Sequence, residues 1–257
     1  MVSVPRYNVL GVGVSALSLD AARNLVLAAR GPSRRGYVCF CTVHGISEAQ
    51  RDAALRTIYN RSYLSTPDGM PLVWLGRWHG HAQLTRVYGP DLMLAVADAG
   101  RAMGIRHYFY GGLPGRAGQL RAALTARLPG LQVVGTFTPP MRPLSPAEFS
   151  RLQADVARTR PDLLWVGISS PKQERFMAEA WNQLDAGLLL GVGAAFDIHA
   201  GRVRQAPRWV QRSGFEWLFR LALEPRRLWR RYLLNNPLFL LRTAAQLARL
   251  RRYPSDW

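Results

Sequence analysis

The stretch Leu163-Leu-Trp-Val-Gly-Ile-Ser-Ser-Pro-Lys-Gln-Glu-Arg175 decides the fold. Leu163 to Gly167 is a strongly apolar run beside turn residues, which reads as a buried strand. Pro171 suits the first turn of the helix that follows, predicted over Gln173 to Leu184. The same unit recurs in both directions along the chain. Apolar runs at Tyr7 to Val14, Tyr37 to Cys41, His107 to Tyr110, Leu131 to Gly135 and Leu188 to Val192 predict further strands. Leu19 to Ala29, Asp91 to Met103, Ala117 to Leu128 and Ser145 to Arg158 carry apolar residues at helical spacing. Strands alternating with helices predict an α/β protein with a parallel sheet covered by helices on both faces. Ser145-Pro-Ala-Glu148 adds a capping-box pattern with Pro at the first helical position, and Leu144 supplies a hydrophobic staple.

Composition agrees with a globular protein. Hydrophobic residues at 48% against 19% charged exclude a disordered chain, and 257 residues can bury a full core without covalent staples. Two cysteines, Cys39 and Cys41, are too few for a disulfide framework or for a zinc site of their own. No run approaches the ~18 apolar residues of a membrane span. The opening Met-Val-Ser-Val-Pro-Arg-Tyr has no long apolar segment, so a cytoplasmic location is expected.

The charge is one-sided, with a formal net of +18. Of the 34 basic residues only Lys172 is lysine, a preference that a GC-rich genome explains. Genome composition does not explain the distribution. Residues 208 to 252 hold eleven Arg and two Glu, a net of +9. The composition changes after Gly201, which suggests a core over 1–206 and an appendage over 207–257. In the appendage Trp217, Leu218, Leu221, Leu228 and Trp229 alternate with Arg220, Arg226, Arg227 and Arg230. Pro225 and Pro237 are expected to divide it into short helices. Such a pattern suits an anionic lipid surface, a diphosphate or nucleic acid. A solvated basic face on a docked helix is the plain alternative.

Several strand ends carry candidate chemistry. Tyr110-Gly-Gly-Leu-Pro-Gly-Arg lies between a strand and a helix. Gly111, Gly112 and Gly115 would let backbone N–H groups approach a phosphate there, or simply make a tight turn. Asp68, in Ser65-Thr-Pro-Asp-Gly-Met, is either a helix cap or a general base. Lys172, Gln173 and Glu174 sit where parallel sheets bind ligands. Asp197 and His199 follow another strand, but Asp-x-His is too common to indicate a metal.

Taken in order, these segments resemble the WecG/TagA/CpsF glycosyltransferase family from about Tyr7 to Phe239. The motifs are Thr66-Pro-Asp-Gly-Met, Arg86-Val-Tyr-Gly-Pro-Asp-Leu, Gly111-Gly-Leu-Pro-Gly, Gly167-Ile-Ser-Ser-Pro-Lys-Gln-Glu, Gly191-Val-Gly-Ala-Ala-Phe-Asp and Glu216-Trp-Leu-Phe-Arg with Glu224-Pro-Arg-Arg. The resemblance implies a Rossmann-like core and a C-terminal appendage that completes the active site. It implies inverting transfer of a sugar from a UDP-sugar to a lipid-diphosphate-linked sugar in bacterial cell-surface polysaccharide synthesis. No cofactor or metal is expected.

Matched residue by residue, Asp68 falls on the family's proposed base. Thr42 and His44 fall on a Thr-x-Asn motif, with His44 replacing the Asn. Arg86 matches a pocket arginine. Gln173 and Asp197 match donor-contacting positions, beside Gly111 and Gly112. Arg220, Arg227 and Arg230 match arginines that meet diphosphate, on one helical face if the phase survives Pro225. The implied partners are the UDP-sugar, the lipid-linked acceptor and an anionic membrane at the cytoplasmic face. A homo-oligomer is compatible with the sequence, and nucleic acid is not expected. A non-catalytic scaffold or a basic nucleic-acid-binding module on the same fold is the alternative.

Overall fold

The computed structural model describes residues 4–29 and 35–257. The elements begin with β1 (Arg6–Val9), β2 (Val12–Ser15), α1 (Leu19–Ala28), β3 (Gly36–Cys41), α2 (Val43–Ala49), α3 (Ala53–Arg61), β4 (Leu64–Pro67) and α4 (Met70–Trp78). Then come α5 (Gly89–Gly100), a 3-10 turn, β5 (Arg106–Gly111), α6 (Arg116–Arg127), β6 (Gln132–Phe137), α7 (Pro146–Thr159), β7 (Leu163–Gly167) and α8 (Lys172–Ala180). The last are β8 (Leu188–Gly191), α9 (Ala195–His199), α10 (Arg208–Ser213), α11 (Glu216–Leu223) and α12 (Pro225–Leu247). The result is a mixed α/β fold with a parallel sheet flanked by helices and a helical C-terminal extension. It divides into two compact units. One comprises residues to Leu19, Phe40–Tyr88 and Gln205–Trp257, and the other Asp20–Cys39 and Gly89–Arg204.

The second unit holds the sheet order β3-β8-β7-β5-β6, with the pairs parallel throughout. Its central strands β7 and β8 are apolar along their length because they are buried, whereas the edge strand β6 is only half-buried. Leu163, Leu164, Trp165, Val166, Leu188, Leu189 and Leu190 are all buried, each aliphatic side chain stabilising by about 1.5–3 kcal/mol. His107 belongs to this core. Its Nδ1 accepts from Trp165 Nε1 at 3.0 Å, and burial lowers its pKa to about 4, so the ring is neutral. The Ser145–Glu148 capping box forms at the start of α7 as its sequence predicts.

The first unit departs from the sequence reading. Tyr7 to Val14 is not one strand of the parallel sheet. It is an antiparallel hairpin, pairing Arg6 with Ser15 and Val9 with Val12. The turn residues Leu10 and Gly11 both have positive φ, at 53° and 84°. For leucine that is costly, and the structure braces it. Gln246 of α12 accepts from Leu10 N–H at 2.9 Å and donates to the Asn8 carbonyl at 3.0 Å. Gln50 donates to the Leu10 carbonyl at 2.7 Å.

The second departure is α12, which runs unbroken through Pro237. An interior proline costs about 3 kcal/mol. Against that, Leu228, Tyr232, Asn235, Phe239 and Thr243 form one buried stripe at helical spacing. Asn235 also meets His44 of α2 at 2.9 Å. Pro225 does act as a boundary, starting α12 after α11 ends at Leu223.

Candidate acid–base site

Asp68 directly follows β4 and precedes α4. Its backbone N–H donates to the Cys41 carbonyl at 2.9 Å, tying it to the end of β3. Gly69 occupies the N-cap position of α4, so the aspartate is free of that capping role. The chain passes a second time beside it, where Val87 N–H donates to the Pro67 carbonyl at 2.9 Å. That pairing brings Arg86 onto Asp68. The guanidinium donates through Nε to the Asp68 carbonyl and through Nη2 to Asp68 Oδ1 at 3.3 Å.

Arg86 is shared. Its Nη1 lies 2.6 Å from Glu216 Oε2, at the start of α11. Its guanidinium carbon sits 4.2 Å above the ring of Tyr88. The three charged side chains are well buried, with 15% of Asp68, 16% of Arg86 and 14% of Glu216 exposed. Burial pushes the Asp68 carboxyl up to about 6, against the pull of Arg86 and with the help of Glu216. Burial works against the Arg86 charge, but the two carboxylates outweigh it and raise its pKa. Arg220 responds to the same carboxylates and to Tyr88 and Tyr232, and its pKa is raised despite burial. Burial first, then Glu216 and Asp68, raise the Tyr88 hydroxyl, which stays protonated.

Thr42 and His44 lie in the same unit, at the start of α2. The Thr42 hydroxyl caps that helix by accepting from Gly45 N–H at 3.0 Å. His44 Nδ1 meets Asn235 at 2.9 Å and lies 3.9 Å from Glu48. Arg220 and Arg230 stand on separate helices, α11 and α12. Glu224 leaves the helical conformation at φ −135°, ψ 58°, so the phase breaks between α11 and α12. Arg220 is half-buried, whereas Arg230 is exposed with its guanidinium carbon 5.2 Å from the Trp229 ring centre. The side chain of Arg227 lies outside the described residues.

The other expected site residues belong to the second unit. Gly111 and Gly112 have φ of 134° and 76° at the end of β5, and Gly112 N–H donates to the Gly167 carbonyl at 2.9 Å. A Cβ on Gly111 would stand 2.6 Å from the Gly167 oxygen, so only glycine fits. Arg116 opens α6 after Gly115 and pairs through Nε with Asp197 Oδ1 at 2.8 Å. Gln173 is buried and donates to the Gly191 carbonyl at 2.5 Å. Its Oε1 has no hydrogen-bond partner among the described residues. Glu174, in the same first turn of α8, is fully buried.

Sequence reading missed Glu216 and Tyr88 as members of the Asp68 cluster and Arg116 as the partner of Asp197. One signal was present. Glu216 and Arg220 are four apart on one short helix, so they share a face. Among the described residues, no three His, Cys, Asp or Glu side chains converge on a common point. No helix there is long and apolar enough to cross a membrane.

A parallel α/β sheet flanked by helices, with a helical C-terminal extension, is consistent with a Rossmann-like glycosyltransferase fold. The sequence profile of the Glycosyl transferase WecG/TagA/CpsF family matches residues 7–253. The chain belongs to that family, whose general chemistry is transfer from a UDP-sugar to a lipid-linked acceptor.

Proposed function

We propose that the protein is an inverting hexosyltransferase. It moves an N-acetylmannosamine, N-acetylmannosaminuronic acid or glucose type sugar from UDP to a polyprenyl-diphosphate-linked sugar, for a bacterial cell-surface polysaccharide. The observation that carries this reading is Asp68, a buried carboxylate whose pKa is pushed up to about 6. An inverting transfer needs one base to take the acceptor hydroxyl proton as the anomeric carbon is attacked. A carboxylate of this pKa is a stronger base than usual and is still ionised at neutral pH. Oδ1 is engaged by Arg86, which leaves Oδ2 outside that pair for the hydroxyl.

Thr42 and His44, at the positions of the family's Thr-x-Asn motif, belong to the catalytic set with Asp68, where His44 alters donor or acceptor choice or assists the proton transfer. Arg86 holds Asp68, and Gly111, Gly112, Gln173 and Asp197 hold the donor. The departing UDP gains negative charge, which backbone N–H groups and arginine forks stabilise without a metal. Arg220, Arg227 and Arg230 of the 207–257 appendage supply those forks. The appendage also exposes Trp209, Phe215, Trp229, Leu234 and Leu241 among its arginines, which suits an anionic membrane surface at the cytoplasmic face. Assembly into a homo-oligomer is compatible with this arrangement.

The test is UDP release from a panel of UDP-sugars with undecaprenyl-type diphosphate-sugar acceptors, in EDTA. Acceptor-dependent turnover with one donor is expected. Failure of every pair in folded, vesicle-bound protein would favour a non-catalytic scaffold.

A further inference from the structure

We propose that Glu216 is a positioning residue for the reaction, through which the tail sets the orientation and strength of the base by holding Arg86 against Asp68. The inference rests on the reading of Asp68 as that base. Arg86 spends its three nitrogens separately, Nε on the Asp68 carbonyl, Nη2 on Asp68 Oδ1 and Nη1 on Glu216 Oε2 at 2.6 Å. Two carboxylates share one guanidinium, so Asp68 receives only part of its charge. Were Glu216 neutral, the whole charge would serve Asp68, and the aspartate would become a weaker base. Were Glu216 displaced, Nη1 would lose the carboxylate that balances its buried charge, a contact that is an ion pair at 2.6 Å rather than a well-aligned hydrogen bond.

The position on α11 makes this a device of the tail. Glu216 is the first residue of the helix, and Arg220 lies four further on. Both act on Asp68 with opposite sign, Glu216 raising its pKa and Arg220 lowering it. The charged and titratable groups acting on the base are therefore Arg86, Glu216 and Arg220, with Tyr88 beside Arg86. Two of the three charges on Asp68 arrive on one two-turn helix about 150 residues away in sequence, so docking of α11 sets the proton affinity of the base.

The experiment is the pH–rate profile of full-length Glu216→Gln against wild type, with the donor–acceptor pair that the UDP-release panel identifies. The acid limb is expected to move down by about one pH unit. At pH 7.5, where the base is ionised in both proteins, kcat is expected to fall about three- to tenfold from the weaker base, with donor KM within about twofold, because the contact Glu216 makes is with Arg86. A carbon-13 titration of Asp68 in both full-length proteins reads the same shift without turnover. An unmoved limb with lowered activity, or equal Asp68 titrations, would overturn the proposal and leave Glu216 a purely structural tether. If Glu216→Gln fails to fold, Glu216→Asp decides. It keeps the charge, so its limb should stay near that of wild type, and a limb lowered by a full unit would refute the idea. Turnover by Asp68→Asn would instead remove the base assignment itself, a separate outcome.

Discussion

The two units build the ends of their strands by opposite means. After β4 the first unit uses side chains. Asp68, Arg86, Glu216 and Arg220 compensate one another in a buried cluster. After β5 the second unit uses backbone. Gly111 and Gly112 turn so tightly against Gly167 that a side chain has no room. A charge cluster is chemically tunable and tolerates an isosteric change. A glycine turn is sterically fixed and does not. Substitutions in the first unit should therefore change chemistry and spare the fold, and those in the second should do the reverse.

The largest expected effect is on rate. Asp68→Asn should lower kcat by about 10²–10⁴-fold, the usual worth of a general base, with the melting temperature no lower than wild type. A variant that loses stability as well would mean that the cluster is mainly structural. In the second unit Gly111→Ala should cost about 3 kcal/mol or more of stability, from a Cβ 2.6 Å from the Gly167 oxygen, and would be read by urea unfolding. A folded, stable Gly111→Ala protein would break the contrast.

The pH dependence sharpens it further. The folded value of Asp68, about 6, lies above its ordinary value of 3.8, so the folded state holds that proton more tightly. Wild-type stability from this group is then full at low pH and is lost as pH rises through 4 to 6. Relative to wild type, Asp68→Asn should gain about 2–3 kcal/mol between pH 4 and pH 7.5. Denaturant midpoints at the two pH values check this, and an unchanged gap would remove burial as the cause of the shift. The smallest effect separates two neighbouring glycines. Gly115 has φ of 78° but nothing within 4 Å of a Cβ, so Gly115→Ala should cost only about 1–2 kcal/mol of backbone strain.

Much of the second unit was legible because its signals are local. A buried parallel strand is apolar at every position, as in Leu163 to Gly167, and the Ser145–Glu148 box is a contact between residues three apart. The first unit was less so. The Leu10-Gly11 turn has none of the usual Asn-Gly chemistry, and its brace comes from Gln246, 236 residues away. Pro237 reads as a break by every local rule, yet the buried stripe from Leu228 to Thr243 carries the helix through it.

The candidate site divides in the same way. The sequence by itself determined the residue types at the strand ends, the helix starts and the accumulation of arginine in the tail, since each depends on neighbours along the chain. It also determined that Asp68 stands alone, with no second acid nearby in sequence. Tertiary structure alone decided that Arg86 bridges Asp68 to Glu216, that the phase between Arg220 and Arg230 breaks at Glu224, and that the carboxyl of Asp68 titrates near 6. A pKa and an ion pair depend on burial and on charges a few ångströms away in space. Chain spacing carries no record of those distances until the fold has closed.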